Sequence, residues 1–118
     1  MNNYVSYLFF AVILGFFVRR WILFRSVRIK LPEYLKAGAV IVDVRSPAEY
    51  FSGHVKGSIN IPLEDLAGKA SALDKSKMVL LCCASGSRSG VAVTVLKRQG
   101  FNKVINAGSW SNLTKYDL

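Results

Sequence analysis

Residues 78–99 read MVLLCCASGSRSGVAVTVLKRQ. Met78 to Cys82 is an unbroken apolar run, as expected of a strand buried on both faces. Ala84 to Ser87 is a short polar stretch. Ser89 to Gln99 has helical spacing, with Val91, Val95 and Leu96 expected to face inward and Gly100 to close the helix. A buried strand, a tight loop and a helix in that order form the repeating unit of an α/β protein.

The flanks extend the same pattern. Ala39 to Val44 (AVIVDV) is a second buried strand. Ser46, Pro47 and Glu49 supply an N-cap, a first-turn proline and the third-position acid of a capping box. That helix is short, because Gly53 follows. Ser58 to Ile61 is a brief strand stopped by Pro62. Leu63 to Leu73 places Leu63, Leu66, Ala70 and Leu73 on one helical face. Lys103 to Ile105 is a further strand, Asn106 to Ser109 a turn, and Trp110 starts a short final helix. Upstream, Pro32 to Lys36 reads as a short helix ended by Gly38. Strands alternating with helices predict an α/β domain with a mostly parallel sheet over residues 31–118.

The N-terminus differs in character. Tyr4 to Val18 (YVSYLFFAVILGFFV) carries no charge. Arg19 and Arg20 interrupt the run before Trp21 to Phe24. Through Phe24 a helix would be roughly 32 Å long at about 1.5 Å per residue, enough to cross a hydrocarbon core if the arginines snorkel. Residues 1–24 are therefore expected to be a transmembrane anchor, with residues 25–30 (RSVRIK) a basic juxtamembrane linker. Of the net charge of +9, five units come from Arg19, Arg20, Arg25, Arg28 and Lys30. Basic residues beside an apolar run suit a membrane surface better than nucleic acid. The bias also predicts an external N-terminus and a cytoplasmic domain. There the two adjacent cysteines stay reduced. No metal-ligand spacing is present and no cofactor is expected.

The chemistry concentrates in Cys83-Ala84-Ser85-Gly86-Ser87-Arg88-Ser89. A loop between strand and helix curls backbone N–H groups toward its centre, and the helix N-terminus adds partial positive charge. A thiolate at Cys83 gains from both, so its pKa is expected to fall. Gly86 frees the backbone to turn, and Arg88 supplies a cation for an anionic substrate. The loop alone also fits a polar connection beside an inert buried cysteine.

Four segments resemble the rhodanese-like family. Asp43-Val44-Arg45 is similar to its first signature. Glu49-Tyr50, Gly53-His54-Val55 and Gly57-Ser58-Ile59-Asn60-Ile61-Pro62 fit E-[FY]-x-x-G-H-[IV]-x-G-[AS]-x-N-[IL]-P. Cys83-x-x-Gly86-x-Arg88-Ser89 resembles the active-site loop, and Gly100-Phe101, Val104 and Asn106-Ala107-Gly108 the closing segment. The resemblance implies a mostly parallel five-stranded sheet flanked by helices, and a sulfurtransferase. Cys83 would take sulfane sulfur from a small anionic donor such as thiosulfate, release sulfite, and pass the sulfur from a persulfide to cyanide or a thiol. Arg88 would help bind the donor. Ala84, Ser85, Gly86, Ser87 and Ser89 would line the site. Asp43 and Arg45 would organise the sheet edge, with Arg45 available to pair with Glu49, and His54 would make structural hydrogen bonds. Trp110 is expected in the core or closing the domain.

Two features set competing readings. Many family members carry Arg where this chain has Ala84, so the loop is less positive; a binding or sensing module on the same fold is the alternative. Counted from Cys82, Arg88 falls at the C-x5-R spacing of cysteine phosphatases. The position of Gly86 and the strand-like run into Cys82 favour Cys83 as the nucleophile.

Overall fold

The computed structural model describes residues 3–116, with the side chains of residues 27–29 outside the described set. Four strands form one sheet: β1 (Val40–Asp43), β2 (Ile59–Asn60), β3 (Val79–Cys83) and β4 (Val104–Ser109). Their spatial order is β2-β1-β3-β4, and every neighbouring pair is parallel. Parallel neighbours need crossovers, which α2 (Pro47–Ser52), α3 (Leu63–Lys69) and α4 (Ser87–Arg98) supply. The expected fifth strand is not among the described residues. The chain before β1 is helical to Lys36, and a 3-10 turn at Trp110–Asn112 follows β4 directly.

β3 is central and buried throughout. Side chains alternate across a strand. Val79, Leu81 and Cys83 therefore join one core with Ala92, Leu96 and Phe101, while Leu80 and Cys82 join the other with Leu31, Val55 and Leu113. Each large apolar side chain so buried contributes about 1.5–3 kcal/mol. The strand runs one residue past its expected end at Cys82, so the loop begins after Cys83.

Three further expectations are corrected. α4 starts at Ser87 and turns Ser89, Ala92 and Leu96 inward, leaving Val91 55% exposed. Small residues on the inner face let the helix lie close to the sheet. Residues 106–109, expected as a turn, belong to β4. Opposite Leu81 and Cys82 the register skips Ala107, making a β-bulge. Asn, Gly and Ser read as turn formers there because a bulge asks for the same backbone freedom. Finally, α1 is continuous from Asn3 to Lys36, passing through the expected linker and through Pro32. Its last turns dock Leu31, Tyr34 and Leu35 against the second core.

The front of α1 is apolar and exposed, and it is long and apolar enough to cross a membrane. Around Phe16, Leu23 and Phe24 it borders an open apolar cleft of about 640 Å³, with Val93 and Ile105 on the opposite wall.

Candidate active site

Cys83 ends the central strand, and α4 begins four residues later with Gly86 as its N-cap. The Gly86 N–H donates to Cys83 Sγ across 2.9 Å, and Ser89 Oγ lies 3.4 Å from the same sulfur. Burial opposes ionisation of this thiol. The Ser89 hydroxyl and the backbone N–H groups of Ser89, Gly86 and Ser85 outweigh it, and the Cys83 pKa is lowered. The loop thus forms a cradle for a negative sulfur, as its sequence predicts.

Gly86 is needed twice. Its φ of +100° lies in the left-handed region, and a Cβ there would meet Gly108 Cα at 3.3 Å. The bulge in β4 makes this close approach. It also aims Asn106 at the loop, a role the sequence reading missed. Asn106 Nδ2 donates to the Gly86 carbonyl at 3.0 Å. Its Oδ1 accepts the Ser89 hydroxyl at 2.6 Å and the Gly108 N–H at 2.9 Å. Ser89 has one hydroxyl proton. Asn106 accepts it, and the Cys83 sulfur lies 3.4 Å from the same Ser89 oxygen. An asparagine just past an apolar strand was the available signal, masked by its turn-like neighbours.

Arg88 stands in the first turn of α4. Its two terminal nitrogens meet the two carboxylate oxygens of Glu49 at 2.7 and 3.0 Å. Glu49 also closes the expected capping box with Ser46. Hydrogen bonding from Arg88, then from Ser46, pulls the Glu49 pKa down to about 2. Arg45, expected to reach Glu49, instead grips Asp43 through Nε and Nη2, with the shortest contact at 2.7 Å. It also donates to the Gly53 carbonyl and lies 4.7 Å from the Trp110 ring centre. Only Val44 separates Asp43 from Arg45, so the nearer partner wins. Asp43 has no solvent exposure, and this fork satisfies it.

His54 is held against Tyr50. Its Nδ1 bonds the Tyr50 carbonyl at 2.8 Å and its ring stacks on Tyr50 at 3.8 Å. Asn60 pins the end of β1 by donating to the carbonyls of Asp43 and Arg45. Ala84, Ser85 and Ser87 are exposed, and a cleft of about 300 Å³ opens beside Ser85, Asn106 and Gly108. Cys82 points to the opposite core. Burial and then the Asp43 charge push its thiol up to about 12. A nucleophile there would face away from Arg88, which removes the support for a phosphatase loop counted from Cys82. Opposite faces also separate the two sulfurs, and both cysteines are free.

The model of the rhodanese-like domain matches residues 29–115. The thiosulfate sulfurtransferase PspE of Escherichia coli is 39% identical over 74 residues, covering 61% of this chain and 71% of PspE. YqhL of Bacillus subtilis, an uncharacterised protein, is 30% identical over 110 residues, 90% of this chain and 87% of its own. The chain spans only 36% of YrkF of Bacillus subtilis, whose name proposes a sulfur-carrier role, at 41% identity over 66 residues. Among solved structures, an E. coli rhodanese with bound anions is 38% identical with a TM-score of 0.60, covering 64% of this chain and 91% of that one. The rhodanese-like domain of the Anabaena protein Alr3790 is 28% identical with a TM-score of 0.63, covering 78% and 70%. With the family's matched span embracing the whole sheet and the thiol loop, this chain belongs to the rhodanese-like domain family.

Proposed function

We propose that this protein is a sulfurtransferase that carries sulfur on Cys83. The carrying observation is the 2.9 Å hydrogen bond from the Gly86 amide to the Cys83 sulfur. It supports a loop that holds a thiolate and, after sulfur uptake, a persulfide anion. The thiolate attacks the outer sulfur of thiosulfate or a similar sulfane donor. The Sγ–S bond forms, the donor S–S bond breaks, and its electron pair leaves with sulfite. Cyanide or a thiol then takes the outer sulfur and regenerates the thiolate. Arg88, paired with Glu49, borders the approach of the anionic donor. Ala84, Ser85, Gly86, Ser87 and Ser89 line its approach, while Asp43, Arg45, Glu49 and His54 hold the surrounding frame. The named sulfurtransferase relatives support this class of reaction.

We further propose that residues 1–24 anchor the chain in a membrane, with the N-terminus outside and the domain of residues 31–118 in the cytoplasm. The apolar run Tyr4 to Val18 at the start of α1 and the basic residues that follow it support this.

The test is thiosulfate:cyanide sulfur transfer by the full chain in detergent, with mass spectrometry of the protein after thiosulfate alone. One added sulfur and turnover are expected in wild type and Cys82→Ser, and neither in Cys83→Ser. A folded wild type that accepts no sulfur from any sulfane donor would leave the binding-module reading in its place.

A further inference from the structure

The thiol loop contains no charged side chain from Cys83 to Ser87, and its one cation, Arg88, is already committed. Both terminal nitrogens of the Arg88 guanidinium are bonded to Glu49, at 2.7 and 3.0 Å. The second ion pair beside the loop, Arg45 with Asp43, is likewise closed. Among the described residues, both arginines placed beside the loop are therefore already paired with a carboxylate. What faces a donor is backbone N–H groups and serine hydroxyls. Those suit one negative charge on sulfur but do little for a second one.

The Glu49–Arg88 pair is not a buried relic. Its side chains are 38% and 37% exposed, so the pair is open to solvent and to a charged solute near the first turn of α4. Glu49 is held in place independently of Arg88, since its Oε1 also accepts from the Ser46 backbone and hydroxyl at 3.2 and 3.0 Å. A donor anion cannot displace it from Arg88 by simply pushing it into solvent.

From this geometry we infer that Glu49 is a specificity-determining residue: by occupying Arg88, it makes the site favour singly charged sulfane donors over doubly charged ones. This rests on the sulfurtransferase reading above and names its donor class. The relevant donors are then R–S–S⁻ and R–SO2–S⁻ species. For the second, the Cys83 thiolate takes the terminal sulfur, the S–S bond breaks, and its electron pair leaves on the sulfinate R–SO2⁻. Charge and atoms balance with no outside oxidant.

Thiosulfate and methanethiosulfonate form a matched pair of probes. Both carry a sulfane sulfur on a tetrahedral sulfonyl centre, and they differ by one charge. The readout is the ratio of kcat/KM for the two donors, measured on the full chain in detergent with cyanide as acceptor. Wild type is expected to favour methanethiosulfonate. Glu49→Gln keeps a side chain that can close the capping box but frees the charge of Arg88. It should raise the thiosulfate-to-methanethiosulfonate ratio by about three- to tenfold at low salt, as one unscreened charge a few ångströms away predicts. Added salt should erase most of that gain. Arg88→Gln frees Glu49 instead and should lower the ratio. Opposite signs from the two halves of one pair are beyond the reach of a general loosening of the loop. A ratio that stays put in Glu49→Gln, or moves the same way in both variants, overturns the inference while leaving the sulfurtransferase intact. Sulfur uptake from neither donor by folded wild type overturns both.

Discussion

Asn106 accepts the hydroxyl of Ser89 at 2.6 Å, tying the bulge of β4 to the first turn of α4 directly behind the Cys83 sulfur. With its bonds to Gly86 and Gly108, one side chain fastens the thiol loop to the bulge some twenty residues further along the chain. Asn106→Ala removes three hydrogen bonds and should cost about 2–4 kcal/mol of stability, measured by urea unfolding. Asn106→Asp keeps the acceptor but sets a carboxylate beside the thiol. It should raise the Cys83 pKa, seen as a shift of the alkylation-rate profile to higher pH.

The two cysteines should separate cleanly by reactivity. Both sulfurs are buried, but Cys83 borders the exposed residues Ala84, Ser85 and Ser87, so iodoacetamide at neutral pH is expected to label Cys83 well ahead of Cys82, as peptide mass spectrometry will read. The hydrogen bonds that lower the Cys83 pKa move the rising limb of its rate profile below the ordinary thiol value of 9.0. Ser89→Ala removes one of them and should move that limb back up. Equal labelling of both thiols in the folded state would contradict the opposed faces of β3.

Arg45→Met leaves Asp43 buried and without its cation. Breaking a buried pair from one side costs about 3–5 kcal/mol. A thermal melt should show a large fall in Tm, and Asp43→Asn should show one as well, because it leaves the buried Arg45 cation without its carboxylate. The variant keeps Glu49 and Arg88 in place, so any residual folded fraction should keep its donor preference.

Glu49 couples stability to acid. Its folded pKa of about 2 lies below its ordinary 4.5, held down first by Arg88. A depressed carboxylate stabilises the native state fully above 4.5 and loses that contribution as pH falls toward 2. Stability of the wild type should therefore decline through this window, and Glu49→Gln should show a shallower decline by chemical denaturation at each pH.

Gly86→Ala tests the cap. A side chain at φ +100° is strained, and its Cβ would press on Gly108 at 3.3 Å. A loss of about 1–2 kcal/mol is expected, together with slower sulfur uptake, because the amide that meets the sulfur belongs to this residue.

Several features were legible in the chain alone. Val79 to Cys83 is apolar without a break, which forces a strand covered on both faces. Ser46 to Glu49 makes its own cap from four consecutive residues. The spacing from Cys83 through Gly86 to Arg88 marks the loop between β3 and α4, and the apolar run before Arg19 makes an exposed helix. Each of these is decided by neighbours within a few residues, so local chemistry suffices. The tertiary structure decided the rest. Only the β-bulge brings Asn106 to Ser89, only packing turns Val91 outward and Ala92 inward, and only the approach of α2 to α4 gives Arg88 to Glu49 and leaves Arg45 with Asp43. Those choices depend on which elements meet and in what register. A sequence read along its length holds the partners but not the distances between them.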